Sequence, residues 1–244
     1  MPVERIKTGI QKLDKLMEGG YPKGSTVLVS GGPGTGKTTF CLQYIYSGAL
    51  NNEPGLYVSF ENSPSELKES VKQLGMDFER LEKEGKVVIL RIKETKDITE
   101  LLKIIETEAK KINAKRLVID SLSSIEIFAS TFQSIIKDIP SWAIMKKISL
   151  MPGQESIVRR TLYKTIDSFK DMGLTTLLTS ESQDTIYSRY GIAEFIVDGI
   201  IKLEAESVGK HMQRNILIAK MRKTKIDGGR HSIDITAKGI VLLD

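Results

Sequence analysis

The chain has 244 residues, of which 40% are hydrophobic and 27% charged, with a formal net charge of +5. That length suits one large α/β domain and is short for two, and no apolar run reaches the roughly 20 residues of a membrane-spanning helix. The single Cys41 excludes an intrachain disulfide, and the two histidines, His211 and His231, have no cysteine partners at zinc-site spacing. The mildly basic balance permits an anionic partner without requiring one. The N-terminal Met1-Pro2-Val3-Glu4-Arg5 lacks the apolar core of a signal peptide, so the cytoplasm is the expected location.

Residues 1–24 carry Ile10, Leu13 and Leu16 on a short amphipathic turn, broken by Gly19-Gly20 and Pro22-Lys23-Gly24. Thr26 to Ser30 then reads as a buried strand, and Thr38 through Leu42, Ile45 and Ala49 has helical spacing. A second strand, Leu56 to Phe60, ends at Glu61-Asn62. Ser63-Pro64-Ser65-Glu66 follows as a capping box with proline at the first helical position, and the helix it opens stops at Gly75. Val87 to Leu90 is a third strand. Asp97 and Glu100 cap a helix whose apolar stripe is Ile98, Leu101, Leu102, Ile105, Ala109 and Ile112. Arg116 to Ser121 forms a further strand.

Residues 126–155 are the least regular part, rich in apolar side chains and interrupted by Pro140, Pro152 and Gly153. A helix from about Ser156 to Gly173 precedes another central strand, Leu174 to Glu181. The last third reads as antiparallel strands: Phe195 to Leu203, Arg214 to Lys220, and Ser232 to Leu243. Strands alternate with helices up to about residue 180, after which strand follows strand. The expected fold is α/β: a mostly parallel sheet flanked by helices, with an antiparallel C-terminal extension, in one domain over residues 1–244.

The stretch Gly31-Gly32-Pro33-Gly34-Thr35-Gly36-Lys37-Thr38-Thr39 carries the most specific chemistry. It matches the phosphate-loop pattern and lies where that pattern must, between a strand end and a helix start. Glycines at these positions let backbone N–H groups turn inward around phosphate oxygens, and the helix N-terminus adds positive potential. Gly32, Pro33, Gly34, Thr35, Gly36, Lys37, Thr38 and Thr39 are therefore the candidate nucleotide-binding residues. Lys37 supplies a charge for the β and γ phosphates, and Thr38 places a hydroxyl where a phosphate-bound Mg²⁺ needs a ligand.

Asp120, at the end of an apolar strand, is the second candidate for the Mg²⁺, through a water. Glu61 ends a strand expected near the loop. It reads equally as a base for an attacking water or as a capping charge beside Ser63. Lys220 and Arg222 stand two apart on a strand and so face the same way. They read either as cations reaching a γ-phosphate across a subunit boundary or as a solvated basic strand end continued by Lys223 and Lys225.

With these residues in order, the chain resembles the KaiC-like branch of the RecA superfamily. The landmarks are Thr8-Gly9-Ile10, Leu13-Asp14, Gly19-Gly20, the loop Gly31 to Thr38, and Val58-Ser59-Phe60-Glu61-Asn62-Ser63-Pro64. They continue through Ile119-Asp120-Ser121, Arg159-Arg160, Thr179-Ser180-Glu181, Arg189-Tyr190-Gly191, Lys220-Met221-Arg222, and Thr236 with Gly239-Ile240. The resemblance implies a RecA-type core that binds ATP and Mg²⁺. It implies a homo-oligomeric ring, commonly a hexamer, with ATP between subunits. It also implies that Glu61 is catalytic and that Lys220 and Arg222 act in trans.

Four departures from the family pattern stand out. The clock protein carries two such domains and this chain has one, as in the short archaeal relatives. The family's carboxylate is often a Glu-Glu pair, and here it is Glu61-Asn62, so slow hydrolysis is expected. No adjacent Ser-Thr pair occurs around Phe195 to Ile200, so no autokinase activity is expected. Residues 126–155 read as an insertion: a lid, a protein-partner patch, or a loop for single-stranded DNA in which Phe128, Phe132 and Trp142 would stack. An ATP-gated adaptor that binds DNA or a partner and hydrolyses little is the alternative to an ATPase that drives a conformational cycle.

Overall fold

The computed structural model describes residues 2–95, 97–131, 154–182 and 186–243. A small antiparallel pair, β1 (Arg5–Ile6) and β2 (Tyr21–Pro22), flanks the short helix α1 (Gln11–Lys15). The main sheet then begins with β3 (Thr26–Gly31), followed by helix α2 (Lys37–Leu50) and strand β4 (Gly55–Ser59). Helices α3 (Pro64–Lys72) and α4 (Phe78–Lys83) lead to β5 (Val87–Arg91), α5 (Ile98–Lys111), β6 (Arg116–Asp120) and α6 (Leu122–Thr131). Helix α7 (Gln154–Asp171), β7 (Thr175–Glu181) and the four-residue α8 (Ala193–Ile196) follow. The chain closes with β8 (Gly199–Val208), β9 (His211–Met221), β10 (Arg230–Thr236) and β11 (Gly239–Leu242).

The nine-stranded sheet runs β11-β10-β9-β8-β3-β7-β6-β4-β5. Strands β8, β3, β7, β6, β4 and β5 are mutually parallel, and β9, β10 and β11 extend the sheet antiparallel. Each central strand is apolar on both faces. Val27, Val29, Tyr57, Val118 and Leu177 pack with α2, α3 and α4, while Leu28, Leu56, Leu117, Ile119 and Leu178 pack with α5, α6 and α7. Period-2 alternation sends neighbouring residues to opposite helical layers, which is why these strands read as continuous apolar runs.

Local signals in the sequence set several boundaries. Ser63 accepts from the Glu66 N–H while the Glu66 carboxylate accepts from the Ser63 N–H at 2.7 Å, a complete capping box with Pro64 behind it. Asp97 accepts from the Glu100 N–H at 2.9 Å and opens α5. Helix α4 was not expected. Asp77 caps it by accepting from the Arg80 N–H at 3.1 Å, and Phe78 and Leu81 are buried beneath it.

The last third corrects three expectations. Phe195 and Ile196 lie on α8 rather than on a strand, because a short apolar run does not by itself distinguish a buried helical turn from a strand. The strand that follows, β8, pairs in parallel with β3 and only its other edge is antiparallel. Ser232 to Leu243 is two strands. Thr236 Oγ1 accepts from the Lys238 N–H and donates to the Gly239 carbonyl, and Gly239 takes φ +88°, so the chain reverses there. Residues 126–131, expected to begin an irregular insertion, continue α6, and α7 starts at Gln154. The remainder of the expected insertion, including Phe132 and Trp142, lies outside the described residues.

Candidate nucleotide-binding site

The phosphate-loop stretch joins β3 to α2 along the carboxyl edge of the parallel strands. Gly34 (φ +73°) and Gly36 (φ +100°) occupy left-handed backbone that glycine adopts without a Cβ penalty. A Cβ on Gly31 would meet the Leu203 carbonyl at 2.6 Å, so β8 closes against the loop's first residue. Thr35 is buried and donates to the Gly32 carbonyl at 2.9 Å, which pins the turn while Pro33 and Gly34 stay exposed at its tip. Lys37 and Thr38 open α2, with Thr39 beside them, all half-buried.

The Lys37 ammonium folds over the loop and donates to the carbonyls of Gly31 (2.8 Å) and Gly32 (2.9 Å). Burial pulls its pKa below the ordinary lysine value, and the negative charges of Glu181, Asp120 and Glu61 oppose that fall, in that order. A partly desolvated ammonium surrounded by carbonyls is poised to exchange them for phosphate oxygens, which return a full negative charge.

Asp120 is the most heavily bonded carboxylate of the site. Its Oδ2 accepts from Tyr57 Oη at 2.5 Å and from Thr38 Oγ1 at 3.3 Å, and its Oδ1 accepts from Thr179 Oγ1 at 2.6 Å. Three strands and α2 thus converge on one side chain. Tyr57 is fully buried, and burial followed by the Asp120 charge holds its pKa well above the usual phenol value, so it is a permanent donor. Tyr57 and Thr179 were not among the expected site residues. Their role depends on β4 and β7 flanking β6, which no local pattern encodes.

Thr38 and Asp120 offer hard oxygen ligands within hydrogen-bond distance of each other, the donor chemistry that Mg²⁺ prefers. Among the described residues no group of three or more His, Cys, Asp or Glu is arranged to hold a metal ion. A magnesium that takes its remaining ligands from phosphates and water fits this pair.

Glu61 lies two residues beyond the end of β4, exposed, with its N–H and that of Asn62 turned toward Ser59 Oγ at 3.3 and 3.0 Å. Strand β4 does not adjoin β3, since β7 and β6 stand between them. Glu61 reaches the site as a charge felt by Lys37 rather than as an adjacent strand end. The carboxylate that does end an adjacent strand is Glu181, paired in register with Gly31.

Lys220 lies on β9, but Arg222 is in the turn one residue past the strand's end rather than on it as expected, and both bond residues 194–198. Lys220 Nζ donates to the carbonyls of Glu194 (2.8 Å) and Val197 (2.7 Å). Arg222 pairs with Asp198 at 3.3 Å and donates to the Phe195 carbonyl at 3.3 Å. Burial, followed by the repulsion of Arg222, lowers the Lys220 pKa. The two cations are therefore held by one segment of their own chain rather than trailing freely in solvent.

Comparison with known proteins places this arrangement in a family. The family model described as "ATPase: KaiC" matches residues 6–142 and 128–244. The chain belongs to the KaiC family of ATPases. It is 30% identical to the UPF0273 protein MJ1359 of Methanocaldococcus jannaschii over 98% of this chain and 96% of that one. It is 31% identical to the circadian clock oscillator protein KaiC of a Picosynechococcus strain, covering 98% of this chain and 44% of the relative. The solved KaiC-like protein PH0186 of Pyrococcus horikoshii superposes with a TM-score of 0.81 at 38% identity, over the whole of both chains. KaiC-family membership supports nucleotide-binding ATPase activity and a short RecA-type domain. No described helix is long and apolar enough to cross a membrane.

Proposed function

We propose that the protein hydrolyses ATP slowly at sites formed between subunits of a homo-oligomeric ring, and that this cycle drives a conformational change. The observation that carries the reading is the meeting of Lys37, Thr38 and Asp120 at the carboxyl edge of the sheet, with Thr38 and Asp120 hydrogen-bonded at 3.3 Å. The N–H groups of the loop and of the first turn of α2 would receive the β and γ phosphates, and Lys37 would leave its two carbonyls to join them. Thr38 and Asp120 would hold Mg²⁺, which when bound neutralises charge on the phosphates. Tyr57 and Thr179 fix the carboxylate of Asp120 in place, so that it does not have to be ordered when nucleotide arrives.

Glu61 orients the attacking water and accepts its proton. With Asn62 beside it, Glu61 lacks the second carboxylate that would raise its basicity, which is the physical ground for slow turnover. Lys220 and Arg222 complete the site of a neighbouring subunit by meeting the γ-phosphate there. Both cations are presented together at the end of β9, Lys220 on the strand and Arg222 one residue past it, which favours that reading. Glu61→Gln tests the assignment. ATP binding should stay within about threefold of wild type while phosphate release falls by about 10²–10⁴, the range of general-base catalysis. Unchanged turnover in that variant removes Glu61 from the mechanism.

A further inference from the structure

Residues 187–198 tie the phosphate-loop strand to the Lys220–Arg222 pair twice: Asp198 bonds both Thr26 and Arg222, and a second tie, nearer the loop, runs through Glu194. The Glu194 carboxylate faces back along the chain. Oε1 accepts from the N–H groups of Tyr187 (2.7 Å) and Ser188 (2.8 Å), and Oε2 accepts from Ser188 Oγ at 2.6 Å. Its own carbonyl faces the other way and accepts from Lys220 Nζ. Tyr187 in turn accepts from Ser30 Oγ at 2.6 Å, and Ser30 immediately precedes Gly31.

The far end of this segment is fixed independently: Ile196 and Val197 are buried, the Asp198 N–H donates to the Thr26 carbonyl at 2.8 Å, and Lys170 pairs with Asp198 at 2.9 Å. Helix α8 has only four residues, too short to be stable through its own hydrogen bonds, and Ile192 at its start offers no side-chain cap. The three bonds to Glu194 anchor the segment's near end. Remove them and the carbonyls of Glu194 and Phe195, which receive Lys220 and Arg222, lose their near-end tie to the sheet, while Val197 stays beside the Asp198–Thr26 bonds.

We infer that Glu194 is a positioning residue for the Lys220–Arg222 pair, acting on the neighbouring subunit's ATP rather than on that of its own chain. This rests on the shared-site reading above. A displacement of about 1 Å at a catalytic cation costs on the order of 10²-fold in rate. Glu194→Ala should therefore lower turnover by about that factor while leaving ATP binding at its own phosphate loop within about threefold. Glu194→Gln should restore most of the loss, because its amide oxygen keeps both backbone N–H groups and its NH₂ can donate to Ser188 Oγ.

Subunit mixing separates this role from general damage. Glu194→Ala subunits reassembled with Lys37→Ala subunits should regain turnover, since the first carry sound phosphate loops and the second sound cation pairs. Glu194→Ala mixed with Arg222→Ala should stay at the level of either alone. If Arg222→Ala with Lys37→Ala recovers but Glu194→Ala fails to recover with Lys37→Ala, or recovers with Arg222→Ala, Glu194 serves its own loop and the inference is wrong. If Arg222→Ala with Lys37→Ala does not recover although mixed oligomers form, the shared site itself is wrong and the inference goes with it. Should Glu194→Ala not fold, Glu194→Asp, one carbon shorter, enters the same two mixtures with the same expected outcomes.

Discussion

Glu126 offers a test of the buried electrostatics beneath this machinery. It sits on α6 with no exposed surface, and neither carboxylate oxygen has a hydrogen-bond partner. Burial, followed by the nearby negative charge of Glu194, pushes its pKa up to about 8, with Arg189 opposing the rise. A carboxyl raised this far keeps its proton in the native state while the unfolded chain gives it up above about 4.5. The native state then binds more protons than the unfolded state, so stability falls as pH rises from about 5 to about 8 and levels beyond. At about 1.36 kcal/mol per pH unit the full effect is on the order of 4–5 kcal/mol. Glu126→Gln removes the titration while keeping the shape. Urea unfolding of both proteins from pH 5 to 9 should show the variant gaining on wild type by a few kcal/mol across that range, with the difference flat above pH 8–9. A difference that does not change with pH would refute the reasoning and place an ionised, compensated carboxylate at this position.

Two further changes probe the frame and the metal pair. A Cβ on Gly48 would lie 2.2 Å from Arg116 Nε, and that fully buried guanidinium donates to the Tyr44 carbonyl and pairs with Glu53. Gly48→Ala should therefore break a buried ion pair and cost about 3–5 kcal/mol, roughly 6–20 °C in Tm at about 2–4 °C per kcal/mol, with a shift under 3 °C counting against the argument. Asp120→Asn should leave magnesium-free nucleotide binding within about threefold. It should reduce the affinity gained on adding Mg²⁺ by about tenfold or more, as read by titrating a fluorescent ATP analogue with and without chelator.

What was legible in the sequence was local. The loop's glycines, Lys37 and Thr38 announce themselves by spacing, and Gly34 and Gly36 take the backbone angles that spacing implies. The capping box at Ser63 and Glu66 is likewise written within four residues. What was not legible depends on sheet order. Strand β7 lies between β3 and β6, which brings Thr179 onto Asp120 and Glu181 beside Gly31, and separates Glu61 from the loop by two strands. Arg116 reads as an ordinary strand start, yet packing carries it under α2, where Tyr44, Gly48 and Glu53 receive it. Glu194 stands just before the run from Phe195 that suggested a strand, and its three acceptor bonds appear only once Ala193–Ile196 turns into α8.

The central claim is that this loop binds ATP for hydrolysis. Steady-state phosphate release from Mg-ATP by the purified protein, with Lys37→Ala as control, tests it most directly. The account predicts slow release from wild type that disappears in the control. Release that persists in Lys37→Ala, or tight ATP binding by wild type with no release at all, would contradict it.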